Sequence, residues 1–166
     1  MVKNSEDATM IKFLKSSLNW IVAIGLCFTA TVSSQYKVLH HFSGNSNDGA
    51  KSAGSLIKYG NKLFGMTFNG GDGNKGTVFS INIDGTDFRI LHSFVSGSSD
   101  GEGPIGALLL SDSTLFGMAS SSGTNYGGTL FKIHTDGNGF EVLHRFSTTD
   151  GMWPWGSLIQ SDSILY

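Results

Sequence analysis

The sequence has little charge and almost no cysteine. Only 14% of its 166 residues are charged, and the formal net charge is -2, whereas an average soluble domain is about 25% charged. Lysine and arginine are scattered singly, so the chain lacks the basic stripe that nucleic acid or an anionic membrane requires. The single cysteine, Cys27, excludes a disulfide framework and a cysteine-based zinc site. Glycine (23 residues), serine, threonine and asparagine supply the polar surface instead, which is typical of extracellular proteins.

The N-terminal residues 1–34 have the pattern of a secretory signal peptide. Two lysines precede an apolar run at 18–28, and small residues lead to Ser34. The apolar run is shorter than the roughly 20 residues that a membrane span needs. We expect cleavage after Ser34, which leaves a mature chain without a thiol or a membrane-spanning segment. Lipidation at Cys27 and a translation start at Met10 remain the alternatives.

The chain after residue 34 is a tandem repeat. The motif Leu-His-x-Phe occurs at 39–42, 91–94 and 143–146, which gives intervals of 52 residues. The motif Leu-Phe-Gly-Met occurs at 63–66 and 115–118 in the same register. Periods of about 40 to 50 residues are typical of propeller blades. A single unit of this kind cannot bury its apolar face alone.

Each unit contains four apolar runs of strand length, separated by glycine, asparagine, aspartate and serine. In the first complete unit we predict strands near 54–59, 62–68, 77–83 and 88–94. The segment 84–87, Asp-Gly-Thr-Asp, has the composition of a tight hairpin turn between the last two. The sequence therefore predicts an all-β fold of four-stranded antiparallel blades, similar to those of a β-propeller.

The fourth strand of each unit alternates between apolar and polar residues, which predicts one buried face. In the first complete unit that face consists of Phe88, Ile90, His92 and Phe94. A repeated histidine on it could suggest a zinc site, but equivalent positions in successive blades lie too far apart to share one ion. We expect each such histidine to donate to a backbone carbonyl.

The repeat region, residues 35–166, is predicted to hold incomplete units at both ends. It divides into a lone fourth strand at 36–42, complete blades at 53–94 and 105–146, and a partial blade at 156–166. Because propeller closure needs about 4 to 8 blades, we expect the chain to be a fragment of a longer protein in which the lone strand completes the last blade. Unpaired strand edges predict self-association of the fragment.

The segment 76–94, with its Asp-Gly turn and its Leu-His-x-Phe motif, resembles the GloVer tandem repeat of bacterial choice-of-anchor proteins. The segments 106–109 and 115–118 fit the same pattern, and the resemblance covers the chain after the signal peptide. It implies exported proteins with propeller-like repeats, carried outside the cell or fixed to its surface by C-terminal sorting segments. It assigns no catalytic residue. The sorting segment does not occur before Tyr166.

Long polar loops that are predicted to share one face are the expected place of ligand binding. Trp153 is a candidate ligand contact, since flat aromatic side chains stack on sugars. Trp155 has apolar repeat equivalents, so we expect it to pack between blades. Asp100, Glu102 and Asp150 are the carboxylates available on this face. The alternative is that the glycine-rich loops are spacers without a ligand.

No metal or cofactor site is predicted. An aspartate precedes glycine in each loop after the fourth strand, at Asp48, Asp100 and Asp150. These aspartates lack the ladder of oxygen ligands that calcium prefers, and turn formation explains them better. The sequence also contains no phosphate-binding loop and no G-x-S-x-G elbow.

These observations predict a secreted or cell-surface repeat protein that acts as a binding or structural module, with no catalysis of its own. Its expected partner is an extracellular glycan or protein. The alternative is an extracellular carbohydrate-active propeller enzyme, a hydrolase or lyase, with catalytic carboxylates from Asp100, Glu102 and Asp150. Glycoside hydrolysis needs two carboxyl groups about 5 to 9.5 Å apart.

Overall fold

The computed structural model describes residues 36–52, 54–95, 100–121 and 126–166, and their regular structure consists of antiparallel β-strands. The all-β prediction is confirmed. The predicted signal peptide and its cleavage site lie outside the described residues. Within those ranges there is no helix with the length and apolar character that a membrane crossing requires. The strands are β1 (Gly49–Ser52), β2 (Ile57–Tyr59), β3 (Lys62–Gly70), β4 (Thr77–Asn82), β5 (Arg89–Ser93), β6 (Glu102–Ser111), β7 (Thr114–Ser121), β8 (Thr129–His134), β9 (Glu141–Arg145), β10 (Gln160–Ser161) and β11 (Ile164–Leu165).

The strands form two larger sheets and one hairpin. The first sheet has the order β1-β3-β4-β5, and β2 also pairs with β3. The second has the order β6-β7-β8-β9, and β10 pairs with β11. Each larger sheet is therefore a meander with four strand positions. In the first sheet β1 and β2 share the position that the ten-residue strand β6 fills alone in the second.

Tight hairpins connect the third and fourth strands of both larger sheets, as the sequence predicts. Gly85 adopts a φ of +93° and Gly137 a φ of +91°, conformations that glycine reaches without steric cost. The Asp84 carboxylate accepts hydrogen bonds from the N–H and the hydroxyl of Thr86, at 2.9 and 2.7 Å. Such local bonds fix the turn and with it the register of the two strands.

The fourth strand of each larger sheet contains a β-bulge. Val78 pairs with His92, but the next residue, Phe79, pairs with Ile90, so Leu91 is the extra residue. The same register shift occurs between β8 and β9. Residues on the two sides of a bulge point to opposite faces of the sheet. The prediction that Ile90 and His92 share one face is therefore wrong.

The apolar core lies between the first and the second sheet. The strands of each sheet alternate their side chains between two faces, so a sheet that stood alone would leave its apolar face open to water. The buried members of the core are Phe64, Met66, Val78 and Phe94 from the first sheet and its C-terminal edge, and Leu108, Leu115, Ala119, Phe131 and Ile133 from the second.

Glycine allows close backbone contact at equivalent positions of successive units, where Gly54 lies between β1 and β2, Gly106 lies within β6 and Gly156 precedes β10. A Cβ on Gly54 would collide with the carbonyl group of Gly106, and a Cβ on Gly106 would collide with that of Gly156. Gly54 and Gly106 also have positive φ values of +91° and +83°. Both the close approach and the conformation therefore require glycine.

Residues 37–42, which we call the lead segment, contact the first sheet but belong to no strand of the described chain, although the sequence predicts a strand there. The segment lies within a compact unit that comprises Lys37–Tyr166. In the part of the chain that the structure describes, no backbone hydrogen bond joins residues 38–42 to another segment. A strand needs such a neighbour to satisfy its backbone groups.

Candidate functional site

Each unit contains a histidine whose ring contacts an aspartate farther along the chain. We call these pairs the His–Asp latches. They join His40 to Asp48, His92 to Asp100 and His144 to Asp150, with Nε2 to carboxylate distances of 2.8, 2.8 and 2.6 Å. The prediction that the histidines donate to backbone carbonyls is therefore wrong. The aspartates do not only form turns, as the sequence predicts, but also bind the histidine rings.

The histidine rings also connect successive units. His40 stacks on Phe88 with the ring centroids 4.0 Å apart, and His92 stacks on Phe140 at 3.7 Å, both nearly coplanar. Each phenylalanine belongs to the unit that follows its histidine in sequence. In the first sheet the bulge turns His92 toward the second unit. Its ring therefore contacts both Asp100, in the loop that follows β5, and Phe140 of the next unit.

The Asp48 carboxylate has a network of donors. Burial raises the pKa of this carboxyl group. Hydrogen bonds from the Ser43 N–H, the His40 ring and the Ser43 hydroxyl oppose this effect, and the Gly49 N–H adds another. Together these bonds outweigh burial and lower the pKa from 3.8 to about 2. The ionised form of Asp48 therefore stabilises the folded state.

We expect Asp48→Asn to lower the free energy of unfolding by about 2 kcal/mol at pH 7. The folded pKa of about 2 lies below the ordinary 3.8, so this stabilisation is present above about pH 4 and is lost as the pH falls toward 2. Urea denaturation of both proteins between pH 7 and pH 2 measures the difference, which should shrink below pH 4. Asp112→Asn, in an exposed turn, is the control. A difference that stays constant across this range would contradict the prediction.

The second latch differs from the other two in its surroundings. In the first and third units a serine, Ser43 or Ser147, donates its N–H and hydroxyl to the latch aspartate. The residue at the same position of the second unit is Val95, which has no hydroxyl group. The Oδ1 atom of Asp100 is buried and has no hydrogen-bond partner among the described residues.

Trp153 and Tyr126 form an exposed aromatic pair between the second and third units. The indole Nε1–H of Trp153 donates to the Tyr126 carbonyl at 3.1 Å, and the Trp153 N–H donates to the Gly127 carbonyl at 2.8 Å. The two residues are 62% and 77% exposed. We call them the aromatic pair. The sequence indicated Trp153 as a candidate ligand contact, which stays a prediction, and gave no sign of Tyr126.

Both residues of the aromatic pair adopt a backbone conformation that is rare for bulky side chains. Their φ values are +57° for Trp153 and +59° for Tyr126. Such a conformation costs on the order of 1–3 kcal/mol and persists only where the surroundings impose it. The equivalent positions in the preceding unit hold Gly103 and Asn74, which tolerate positive φ better. The aromatic side chains are thus specific to this one junction.

The three candidate carboxylates are each held by a basic group. Asp100 and Asp150 belong to latches, and Glu102 forms an ion pair with Lys75 at 2.8 Å. This ion pair lines a polar cavity of about 160 Å³ between the two larger sheets. Among the residues that the structure describes, no cluster of three or more histidine, cysteine or acidic side chains could hold a metal ion.

The sequence predicts that Trp155 packs between units, but the structure does not place it there. Its side chain is 71% exposed, whereas the equivalent Ile105 is half-buried. The two neighbouring tryptophans therefore have similar exposure, but only Trp153 is anchored to Tyr126.

The family described as the Gloeobacter/Verrucomicrobia repeat matches residues 19–166 of the chain. No curated protein and no solved structure matches it. The matched segment includes both larger sheets, the three His–Asp latches and the aromatic pair.

Proposed function

Because the chain belongs to the Gloeobacter/Verrucomicrobia repeat family, we propose that it is a secreted or cell-surface module that binds an extracellular glycan through the aromatic pair. The family confirms the resemblance drawn from residues 76–94. The signal-peptide pattern of residues 1–34 and the low charge of the chain support export. No catalysis is part of this proposal.

In this proposal the two larger sheets are neighbouring blades of a propeller-like arrangement. The support is that successive units make the same contacts: a histidine stacked on a phenylalanine of the next unit, and a glycine against the next glycine carbonyl. Contacts that repeat in this way relate each sheet to the next by one operation, as in a propeller.

The observation that carries the binding proposal is the strained and exposed aromatic pair. Exposing two large rings in water brings no gain in stability, and the left-handed backbone adds a further cost. A ligand that stacks on the rings would offset both. The apolar C–H face of a sugar ring has the right shape for an indole or a phenol, and its hydroxyl groups reach the polar loops around them.

The test compares two tryptophans of similar exposure. Oligosaccharides of cellulose, xylan and chitin are titrated into the full chain by calorimetry. We expect Trp153→Ala to weaken the binding of a recognised sugar by about 30-fold, as for a central aromatic contact. Trp155→Ala, the matched control, should change the affinity less than about 3-fold. Tyr126→Ala should resemble Trp153→Ala.

Two results would contradict this assignment. One is that none of these sugars binds to the folded chain. The other is that Trp155→Ala weakens binding as much as Trp153→Ala, which would place the ligand elsewhere on the loops.

The alternative function, glycan hydrolysis, has no such support. Each candidate carboxylate already has a basic partner. Asp100 and Asp150 bind the latch histidines, and Glu102 binds Lys75 of the neighbouring unit. This favours a structural role for all three side chains over a pair of carboxyl groups that face a substrate.

A further inference from the structure

The lead segment lies on the first sheet in the same way as β5 lies on the second. His40 and Phe42 of the lead segment contact Phe88 and Phe79 at 4.0 and 5.3 Å. The equivalent contacts of His92 and Phe94 with Phe140 and Phe131 measure 3.7 and 5.4 Å. The lead segment is therefore placed as the fourth strand of a unit that precedes the first sheet.

The two segments differ in backbone pairing. β5 pairs with β4 from Thr77–Ser93 to Ser80–Arg89. The lead segment has no equivalent neighbour, since no backbone hydrogen bond joins residues 38–42 to another part of the described chain. Among the described residues, the place beside the lead segment that β4 takes beside β5 holds no strand, and this is the place an incoming strand would take.

A cavity of about 300 Å³ lies beside the lead segment, against the first sheet. Leu56, Phe79 and Ile81 contribute to its lining. The equivalent residues of the second sheet, Leu108, Phe131 and Ile133, are core residues that Phe64, Met66 and Val78 of the first sheet help to cover. Because no such cover lies over the cavity lining among the described residues, Leu56 is 50% exposed, whereas Leu108 is only 4% exposed.

We propose that the lead segment and this cavity take up a strand equivalent to β4 from another unit of the same repeat. The strand pairs with the backbone of the lead segment, as β4 pairs with β5. Because successive side chains alternate, its residues at the positions of Val78 and Ser80 point into the cavity, and those at the positions of Phe79 and Ile81 point away. The contact between the two larger sheets is the template for this interface, which does not depend on the glycan proposal.

A peptide with the sequence of residues 75–84 is the direct probe. It carries a fluorescent label and is titrated with the full 166-residue chain, and binding is followed by fluorescence anisotropy. We expect saturable binding. Val78→Asp in the peptide should weaken it at least about 30-fold, because this side chain enters an apolar cavity. Phe79→Ser should change the affinity less than about 3-fold, since that side chain points away.

Variants of the chain identify the binding surface. Leu56→Asp lies in the lining of the cavity and should weaken binding of the unchanged peptide at least about tenfold. Tyr59→Asp is the matched control, because Tyr59 is 45% exposed and lies outside the lining. Both side chains are partly exposed, so the variants should retain the circular dichroism spectrum of the parent chain.

The proposal is overturned by any of three results with folded protein. These are no binding of the peptide, equal losses for Val78→Asp and Phe79→Ser, or equal losses for Leu56→Asp and Tyr59→Asp. The first would leave the lead segment without a strand partner, and the other two would show that the peptide adheres without the predicted register.

Discussion

Phe94→Ala is expected to lower the free energy of unfolding by about 3–5 kcal/mol. Phe94 is fully buried, and its ring meets Phe131 edge-on at 5.4 Å and Phe140 at 6.0 Å. It follows a strand of the first sheet, whereas both partners belong to the second unit. The substitution therefore removes apolar contact on both sides of the core and leaves a cavity between the sheets. Urea denaturation at neutral pH measures the change.

The equivalent residue of the next unit provides the control. Phe146 is half-buried and contacts His144 edge-on, without a ring of a following sheet among the described residues. Phe146→Ala should therefore cost only about 1–2 kcal/mol, in proportion to the smaller area that it buries. Similar losses at Phe94 and Phe146 would mean that the contact between sheets adds little to stability.

Gly54→Ala is expected to lower the free energy of unfolding by about 3 kcal/mol or more. The φ of +91° is unfavourable for alanine. The added methyl group would also collide with the Gly106 carbonyl. Because that neighbour is backbone, no side-chain rotation can relieve the collision, and the backbones of the two units have to move apart at this point. Thermal unfolding followed by circular dichroism measures the loss.

Gly60→Ala separates these two effects. Gly60 also has a positive φ, +58°, but a Cβ there would lie in open space. It should cost only the roughly 1–2 kcal/mol of a left-handed alanine. If Gly60→Ala destabilises as much as Gly54→Ala, backbone conformation explains the glycine at residue 54 and the close approach does not.

The features that could be predicted from the sequence are those encoded within a few residues. β4 was predicted at 77–83 and lies at Thr77–Asn82, because alternation and a turn signal bound it on both sides. The first strand was predicted at 54–59, whereas β1 begins at Gly49. Its sequence, Gly-Ala-Lys-Ser, gives no local strand signal. It pairs because β3 offers a partner, and that is a contact distant in sequence.

The candidate site was only partly predictable for a related reason. A bulge changes no residue type, so the pattern around Leu91 gave no sign of the register shift that redirects His92. The latches could have been found, since an aspartate follows the histidine by eight residues in both of the first two units. Tyr126 could not, because its partnership with Trp153 joins segments 27 residues apart.

The third His–Asp latch spans six residues, where the first two span eight, yet it closes at 2.6 Å. The third latch is shorter because fewer residues separate Ser147 from Asp150 than separate Ser43 from Asp48. Ser147 nevertheless donates to Asp150 as Ser43 donates to Asp48. Both ends of the loop are thus fixed by contacts that do not depend on its length. Evolution can insert or delete residues between them without disturbing the stacked sheets, so the same scaffold can diversify these loops in size as well as in composition.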